Sequence, residues 1–300
     1  MLEVKGIVPA LITPFDRQGN VVTGVLAGLV RKLIDAGSHG LFVVSNAGEF
    51  FALEEAEKQK ILEAVMSEVN HEIPIYFGPG AISTREVIRL TKMAESAGVE
   101  AVSVISPFFL KFSDDELYEH YRAIAESTRL PVVLYSNPVL TGLPLRSPLV
   151  KRLAEIDNIV GVKDSSGDLA VTQSYIEIDG GFSVLAGRDG LILATLMHGG
   201  RGAISSLANV CPELVVAIYE NFVNGDMEAA LEAQRKVAKL RELVGLGTFP
   251  SAIKYALQLQ GFAVGEGRAP VLPLGEKQRS IMKDFLQKEG IVETQREAAV

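Results

Sequence analysis

Lys163 closes a run of apolar residues, Ile159-Val160-Gly161-Val162, with the length and composition of a buried β-strand. An ammonium group carried to the end of such a strand loses hydration, and desolvation favours the neutral amine. A lysine of ordinary pKa, about 10.4, needs that shift before it attacks a ketone to form an imine near neutral pH. A strand that merely ends in a solvated lysine is the plain alternative. Tyr135 closes the preceding β-rich run, so its phenol can lie near the amine and move protons during imine formation and carbon–carbon bond cleavage. A packing tyrosine with a wet hydroxyl would look the same. Ser45-Asn46-Ala47-Gly48 ends another run ahead of a helix expected to start around Leu53. Its backbone N–H groups can hold a carboxylate, although an ordinary βα loop would look similar. Arg188 follows a further run and can pair with a distal carboxylate, cap a helix or form an intersubunit salt bridge.

These residues need a scaffold that brings the ends of several strands together. Eight β-rich runs are legible: Gly6 to Ile12, His39 to Val44, Pro74 to Phe77, Ala101 to Ile105, Pro131 to Tyr135, Ile159 to Lys163, Phe182 to Ala186 and Gly202 to Ser205. Between them apolar residues recur at helical spacing. Leu26, Leu29, Val30, Leu33 and Ile34 trace one face, and Leu62, Val65, Met66 and Val69 another. Ser83 to Glu86 and Ser113 to Glu116 have the pattern of capping boxes. Strands that are nearly continuous apolar runs imply a parallel sheet covered by helices, and closure removes its edges. The expected fold is a (β/α)8 TIM barrel over residues 1–225, with a C-terminal helical region over 226–290 and a frayed tail over 291–300. An open doubly wound sheet would want Gly-x-Gly-x-x-Gly after its first strand, where Pro9 to Phe15 stands instead. In a barrel of this kind the loops after the strands form the active site.

Composition narrows the chemistry. The 300 residues carry a formal charge of −8, and no Lys/Arg run is long enough for a polyanion stripe, so the expected partner is a small molecule and not nucleic acid. Cys211 is the only cysteine, which excludes an intramolecular disulfide and suits a reducing compartment. Met1-Leu2-Glu3-Val4-Lys5 lacks a basic, then apolar, leader pattern, and no apolar run has the ~18 residues of a membrane span, so a cytoplasmic location is expected. His39, His71, His120 and His198 are dispersed, which speaks against a metal centre.

Taken in order, Gly6 to Phe15, Gly48-Glu49, Ser106-Pro107-Phe108-Phe109, Tyr135 with Pro138, Thr141-Gly142, Gly161-Val162-Lys163-Asp164 and Gly202 to Ser205 resemble the dihydrodipicolinate synthase and N-acetylneuraminate lyase superfamily, almost end to end. The resemblance implies a barrel with a C-terminal helical region, usually a homotetramer, acting on a 2-oxo acid without metal or organic cofactor. It implies that Lys163 forms a Schiff base with pyruvate or another 2-oxo acid, that Tyr135 transfers protons, that Asn46 and Ala47 grip the pyruvyl carboxylate, and that the Ile204 backbone lies beside the imine.

The departures concern the second substrate. Dihydrodipicolinate synthases usually have two threonines where Asn46 and Ala47 stand, a relay tyrosine from across a dimer interface where Phe109 stands, and a carboxylate-gripping arginine where Leu140 stands. Tyr135-Ser136 and Val162-Lys163-Asp164-Ser165 are most similar to the 4-hydroxy-2-oxoglutarate aldolases and related 2-oxo-acid aldolases. The first expectation is therefore cleavage of a 4-hydroxy-2-oxo acid or a 2-keto-3-deoxy sugar acid to pyruvate or glyoxylate plus a second carbonyl compound. Dihydrodipicolinate synthase itself, condensing pyruvate with aspartate semialdehyde, and a Schiff-base dehydratase or deaminase are the alternatives.

Overall fold

The computed structural model describes residues 2–178 and 180–293. Eight strands, β1 (Gly6–Pro9), β2 (Leu41–Val43), β3 (Ile75–Phe77), β4 (Ala101–Ile105), β5 (Val132–Ser136), β6 (Ile159–Asp164), β7 (Ser183–Ala186) and β8 (Gly202–Ser205), run parallel in the order β1-β8-β7-β6-β5-β4-β3-β2. The ring closes where Ala10 pairs with Phe42 and the Leu11 N–H donates to the Phe42 carbonyl at 2.9 Å. This is the (β/α)8 barrel expected from the sequence. The first apolar run outlasts β1 because residues beyond Pro9 form the closing seam: the Ala10 N–H turns to Ser205 and the Leu11 N–H to Phe42.

Helices α1 (Thr23–Asp35), α2 (Glu55–Val69), α3 (Thr84–Ala97) and α4 (Asp114–Glu126) follow the first four strands in turn. Two short helices, α5 (Pro138–Thr141) and α6 (Ser147–Leu153), follow β5; α7 (Leu169–Ile176), α8 (Ile192–Met197) and α9 (Pro212–Val223) complete the wall. Leu26, Leu29, Val30 and Leu33 of α1 are buried on one face, as their spacing requires. The Ser113 and Glu116 capping box forms on α4. On α3 only half of it forms: the Ser83 hydroxyl accepts the Glu86 N–H, while the Glu86 carboxylate pairs with Arg89. The helix expected around Leu53 begins instead at Glu55, capped by Glu54 and Glu57. A 3-10 turn, Phe50–Ala52, precedes it because Glu49 enters at a left-handed φ of 58°.

The C-terminal helices α10 (Met227–Leu243), α11 (Ser251–Leu259) and α12 (Glu276–Lys288) bring Val237, Leu240, Ile253, Leu257 and Leu286 into the same continuous core as the barrel. The last residues of the expected frayed tail, 294–300, lie outside the described residues. Glu49, after β2, and Lys254, on α11, are both 0% exposed, and their charged atoms meet at 2.6 Å in an ion contact that lacks hydrogen-bond angles. The second Glu49 oxygen accepts the Arg268 N–H at 2.8 Å, and Lys254 donates to the Glu266 carbonyl at 2.9 Å. Burial pulls the Lys254 pKa below its ordinary value, with Glu49 opposing that shift. On the barrel wall, His120 of α4 is buried with Nδ1 hydrogen-bonded to Thr84, and burial pushes its pKa down to about 4.

Removing one member of the buried pair strands the other charge, so Lys254→Met is expected to lower stability by about 3–5 kcal/mol in urea unfolding. The double variant Lys254→Met with Glu49→Gln removes both charges while keeping an acceptor for Arg268. It is expected to recover part of that loss, whereas equal losses would show that the stranded charge is not the cause.

His120 predicts an acid-side effect. Between pH 6.5 and 4 the unfolded chain binds a proton on this imidazole that the fold refuses, so stability falls as pH falls, by up to about 1.4 kcal/mol per pH unit. Above pH 6.5 both states are neutral and the contribution is flat. Urea midpoints at pH 7.5 and 5 should therefore converge in His120→Gln relative to the parent chain; an unchanged difference would assign the acid sensitivity elsewhere.

Candidate active site

Each strand ends on the same side of the ring, and there a pocket of about 200 Å³ is lined by Asn46, Ala47, Tyr135, Lys163, Arg188 and Ile204. All six side chains singled out in the sequence thus meet at one mouth. A larger hollow of about 1340 Å³ lies between the β1–α1 loop and residues 263–269, but it contains neither Lys163 nor Tyr135.

Lys163 and Tyr135 are register partners across β6 and β5. In parallel strands such partners project to the same face, and here that face is the mouth. Lys163 is 5% exposed, with Nζ 3.9 Å from the centre of the Tyr135 ring and 5.1 Å from that of Phe42. Among the described residues no carboxylate lies within 4.0 Å of this amine. The adjacent carboxylate, Asp164, is occupied on the opposite face by the Ser166 N–H, the Ser166 hydroxyl and the Thr172 hydroxyl, at 2.9, 2.9 and 2.6 Å. The Tyr135 oxygen accepts from the Asn137 side-chain amide at 3.0 Å. A phenol has one donor and two acceptor positions, so this bond leaves its hydrogen available to a substrate.

The loop after β2 follows a strained path. Val44, β-branched, sits at φ 55°, and its carbonyl passes so close to Gly78 that a Cβ there would lie 2.6 Å from the oxygen. The Thr13 hydroxyl ties the loop down by donating to the Gly48 carbonyl at 2.7 Å. The Glu49 and Phe50 N–H groups turn back to Asn46 and Ser45. Among the described residues those of Asn46 and Ala47 find no acceptor, which leaves two donors beside the pocket. On the far side the Ile204 strand ends in Ser205, whose hydroxyl donates to Asp189 and accepts the Ala208 N–H at 3.1 Å. Arg188 donates through Nε to the Ser165 carbonyl at 3.0 Å, which holds its stem against the β6 loop. Leu140 lines the same mouth, and Phe109 stands 87% exposed at φ 80° beyond β4.

Asn137, legible only as one of the residues that end β5, and Arg241 also line the pocket. Asn137 stands two positions after Tyr135, a spacing that puts both on one face of an extended chain, so a signal existed. Arg241, on α10, also reaches the pocket, together with Val244, Gly245 and Phe249. Nothing local in its sequence marks it.

Residues 3–289 match the model of the dihydrodipicolinate synthetase family. The chain is 38% identical over 288 residues to the 4-hydroxy-tetrahydrodipicolinate synthase of Bacillus velezensis, covering 96% of this chain and 100% of that one. It is 35% identical over 291 residues to an uncharacterized DapA-like lyase of Halobacterium salinarum, covering 97% and 96%. The crystal structure of YagE, a prophage protein of the dihydrodipicolinic acid synthase family from E. coli K12 in complex with pyruvate, superposes with a TM-score of 0.94 at 33% identity, covering 97% and 100%. No described helix is long and apolar enough to cross a membrane. With the barrel, the mouth and these likenesses in agreement, the chain belongs to the dihydrodipicolinate synthetase family, as a carbon–carbon lyase of the class I pyruvate aldolase type.

Proposed function

We propose that Lys163 forms an imine with the carbonyl of pyruvate or a related 2-oxo acid, with the Asn46 and Ala47 N–H groups on its carboxylate and the Ile204 backbone beside the imine. The observation that carries this is a buried amine, free of ion pairs among the described residues, 3.9 Å over the ring of its register partner Tyr135. In the cleavage direction Lys163 condenses with the 2-oxo carbonyl, and Tyr135 gives its proton to the departing water as the protonated imine forms. The resulting phenolate takes the C4 hydroxyl proton as the C3–C4 bond breaks, the electron pair enters the imine as an enamine, and the aldehyde departs. Protonation and hydrolysis of the enamine then return the 2-oxo acid and the free amine.

For the second substrate the side chains support cleavage of a 4-hydroxy-2-oxo acid or 2-keto-3-deoxy sugar acid. Leu140 and Phe109 line or flank the mouth where a synthase of this family would place an arginine and a relay tyrosine. The relative in Bacillus velezensis favours the other reading, condensation of pyruvate with aspartate semialdehyde, since it is a 4-hydroxy-tetrahydrodipicolinate synthase. The exposed apolar side chains Phe51, Ile82, Phe109 and Leu110 support a homotetramer, a state that light scattering would read directly. A cytoplasmic location rests on the lone buried Cys211.

Incubation with pyruvate and borohydride is expected to add a reduced pyruvyl group to Lys163, seen by intact mass and peptide mapping and lost in Lys163→Ala. Tyr135→Phe should still be trapped while its turnover falls by about 10²–10⁴-fold. An adduct that persists in Lys163→Ala would end the assignment. Release of pyruvate from 4-hydroxy-2-oxo acids, set against consumption of aspartate semialdehyde with pyruvate, decides between the two second substrates.

A further inference from the structure

On the reading that Lys163 forms the imine, we propose that Arg241 grips a carboxylate at the far end of the substrate, so that the preferred substrate is a dicarboxylate and not a sugar acid with a neutral tail. Two guanidinium groups, Arg188 and Arg241, and the Lys163 nitrogen line the pocket against one carboxylate, Asp189, although the chain as a whole carries −8. With Lys163 as the protonated imine, the mouth holds a local surplus of two positive charges. The carboxylate of a 2-oxo acid accounts for one of them. A second anionic group on the substrate accounts for the other, and it belongs where the guanidinium groups stand.

Arg241 is fixed for that task from behind. Its Nε lies 3.5 Å from Asp189 Oδ2, and the other Asp189 oxygen is held by the Ser205 hydroxyl. Asp189 is 4% exposed, so its charge faces Arg241 and Ser205 instead of water. Gln234, seven residues earlier on the same face of α10, donates to the Asp189 carbonyl at 3.0 Å and accepts the Leu193 N–H at 2.8 Å. The helix is thus pinned to the β7–α8 loop two turns before Arg241. Arg241 itself is 30% exposed, and among the described residues its terminal nitrogens have no hydrogen-bond acceptor. An arginine that lines the pocket, paired at Nε and with its terminal nitrogens without an acceptor among the described residues, is suited to bidentate recognition. Arg188, held through its own Nε by Ser165, lines the same pocket on the β7 side.

The test compares kcat/KM for 4-hydroxy-2-oxoglutarate, a dicarboxylate, with that for 2-keto-3-deoxygluconate, whose tail is neutral, both followed by pyruvate release. The parent enzyme is expected to prefer the dicarboxylate. In Arg241→Gln the ratio of the two kcat/KM values should fall roughly 10- to 100-fold, the range of one hydrogen-bonded charge, with the loss mainly in KM for the dicarboxylate. Arg241→Lys should recover part of the ratio. An equal loss on both acids would make Arg241 a prop for Asp189 and overturn the proposal. So would an unmoved ratio, a parent enzyme that prefers the neutral tail, or one that forms the pyruvate adduct yet cleaves neither acid. Absence of the borohydride-trapped adduct in the parent enzyme is a separate result, which removes the Lys163 reading and this inference with it.

Discussion

A lysine and a carboxylate buried together, Lys254 and Glu49, hold the mouth of this barrel in shape. The loop after β2 leaves the sheet through Val44 and Glu49, both at positive φ, a route that a β-branched residue takes only when its surroundings enforce it. Enforcement comes from the far end of the chain, through the Lys254 charge and the Arg268 N–H on the Glu49 carboxylate. Such a pair gains little over well-packed apolar side chains, because both charges must leave water. Its effect here is positional. It fixes α11 and residues 266–268 against the loop that carries Asn46 and Ala47, while Gln234 fixes α10 against the β7–α8 loop. The C-terminal helices thereby become one wall of the site.

Two buried lysines in one fold show how surroundings separate structure from chemistry. Lys254 meets the Glu49 carboxylate and the Glu266 carbonyl, so its amine is committed. Lys163 meets the faces of Tyr135 and Phe42, which attract a cation but form no bond that a substrate must break. The neighbouring carboxylate, Asp164, projects to the other side of β6 and is already occupied by three donors. Strand alternation alone therefore keeps the Lys163 amine and the neighbouring carboxylate apart.

The same alternation explains what was legible in the sequence. Runs of apolar residues located all eight strands, residue for residue at β4 and β8, and the order of strands in a closed parallel sheet made Tyr135 and Lys163 neighbours. Loop geometry was less legible. The start of α2 was misplaced because nothing in Glu49-Phe50-Phe51 announces a left-handed entry followed by a 3-10 turn. The capping box at Ser83 was half right because Arg89, one turn on, competes for the Glu86 carboxylate. Long-range partners left no trace at all. Neither the Glu49–Lys254 pair nor the approach of Arg241 to Asp189 can be inferred from spacing, since both depend on how the C-terminal helices fold back over the barrel. Asn137, by contrast, was within reach of the period-two argument that identified its neighbour.

The distribution of charge around the mouth gives the site a direction. On the β5 side Leu140 is apolar and more than half exposed, and Phe109 beyond β4 offers only a ring, so among the described residues no cation lines the pocket there. On the β7 and α10 side stand Arg188 and Arg241, with Asp189 tucked behind the second of them. The β2 loop, opposite, contributes neutral backbone donors. A guanidinium field acting at a few ångströms in a partly desolvated pocket is screened far less than one on the open surface. On the proposed reading, an elongated anion would settle with one end on the β2 loop and the other toward α10, which brings its 2-oxo carbon, next to the first end, to the Lys163 amine.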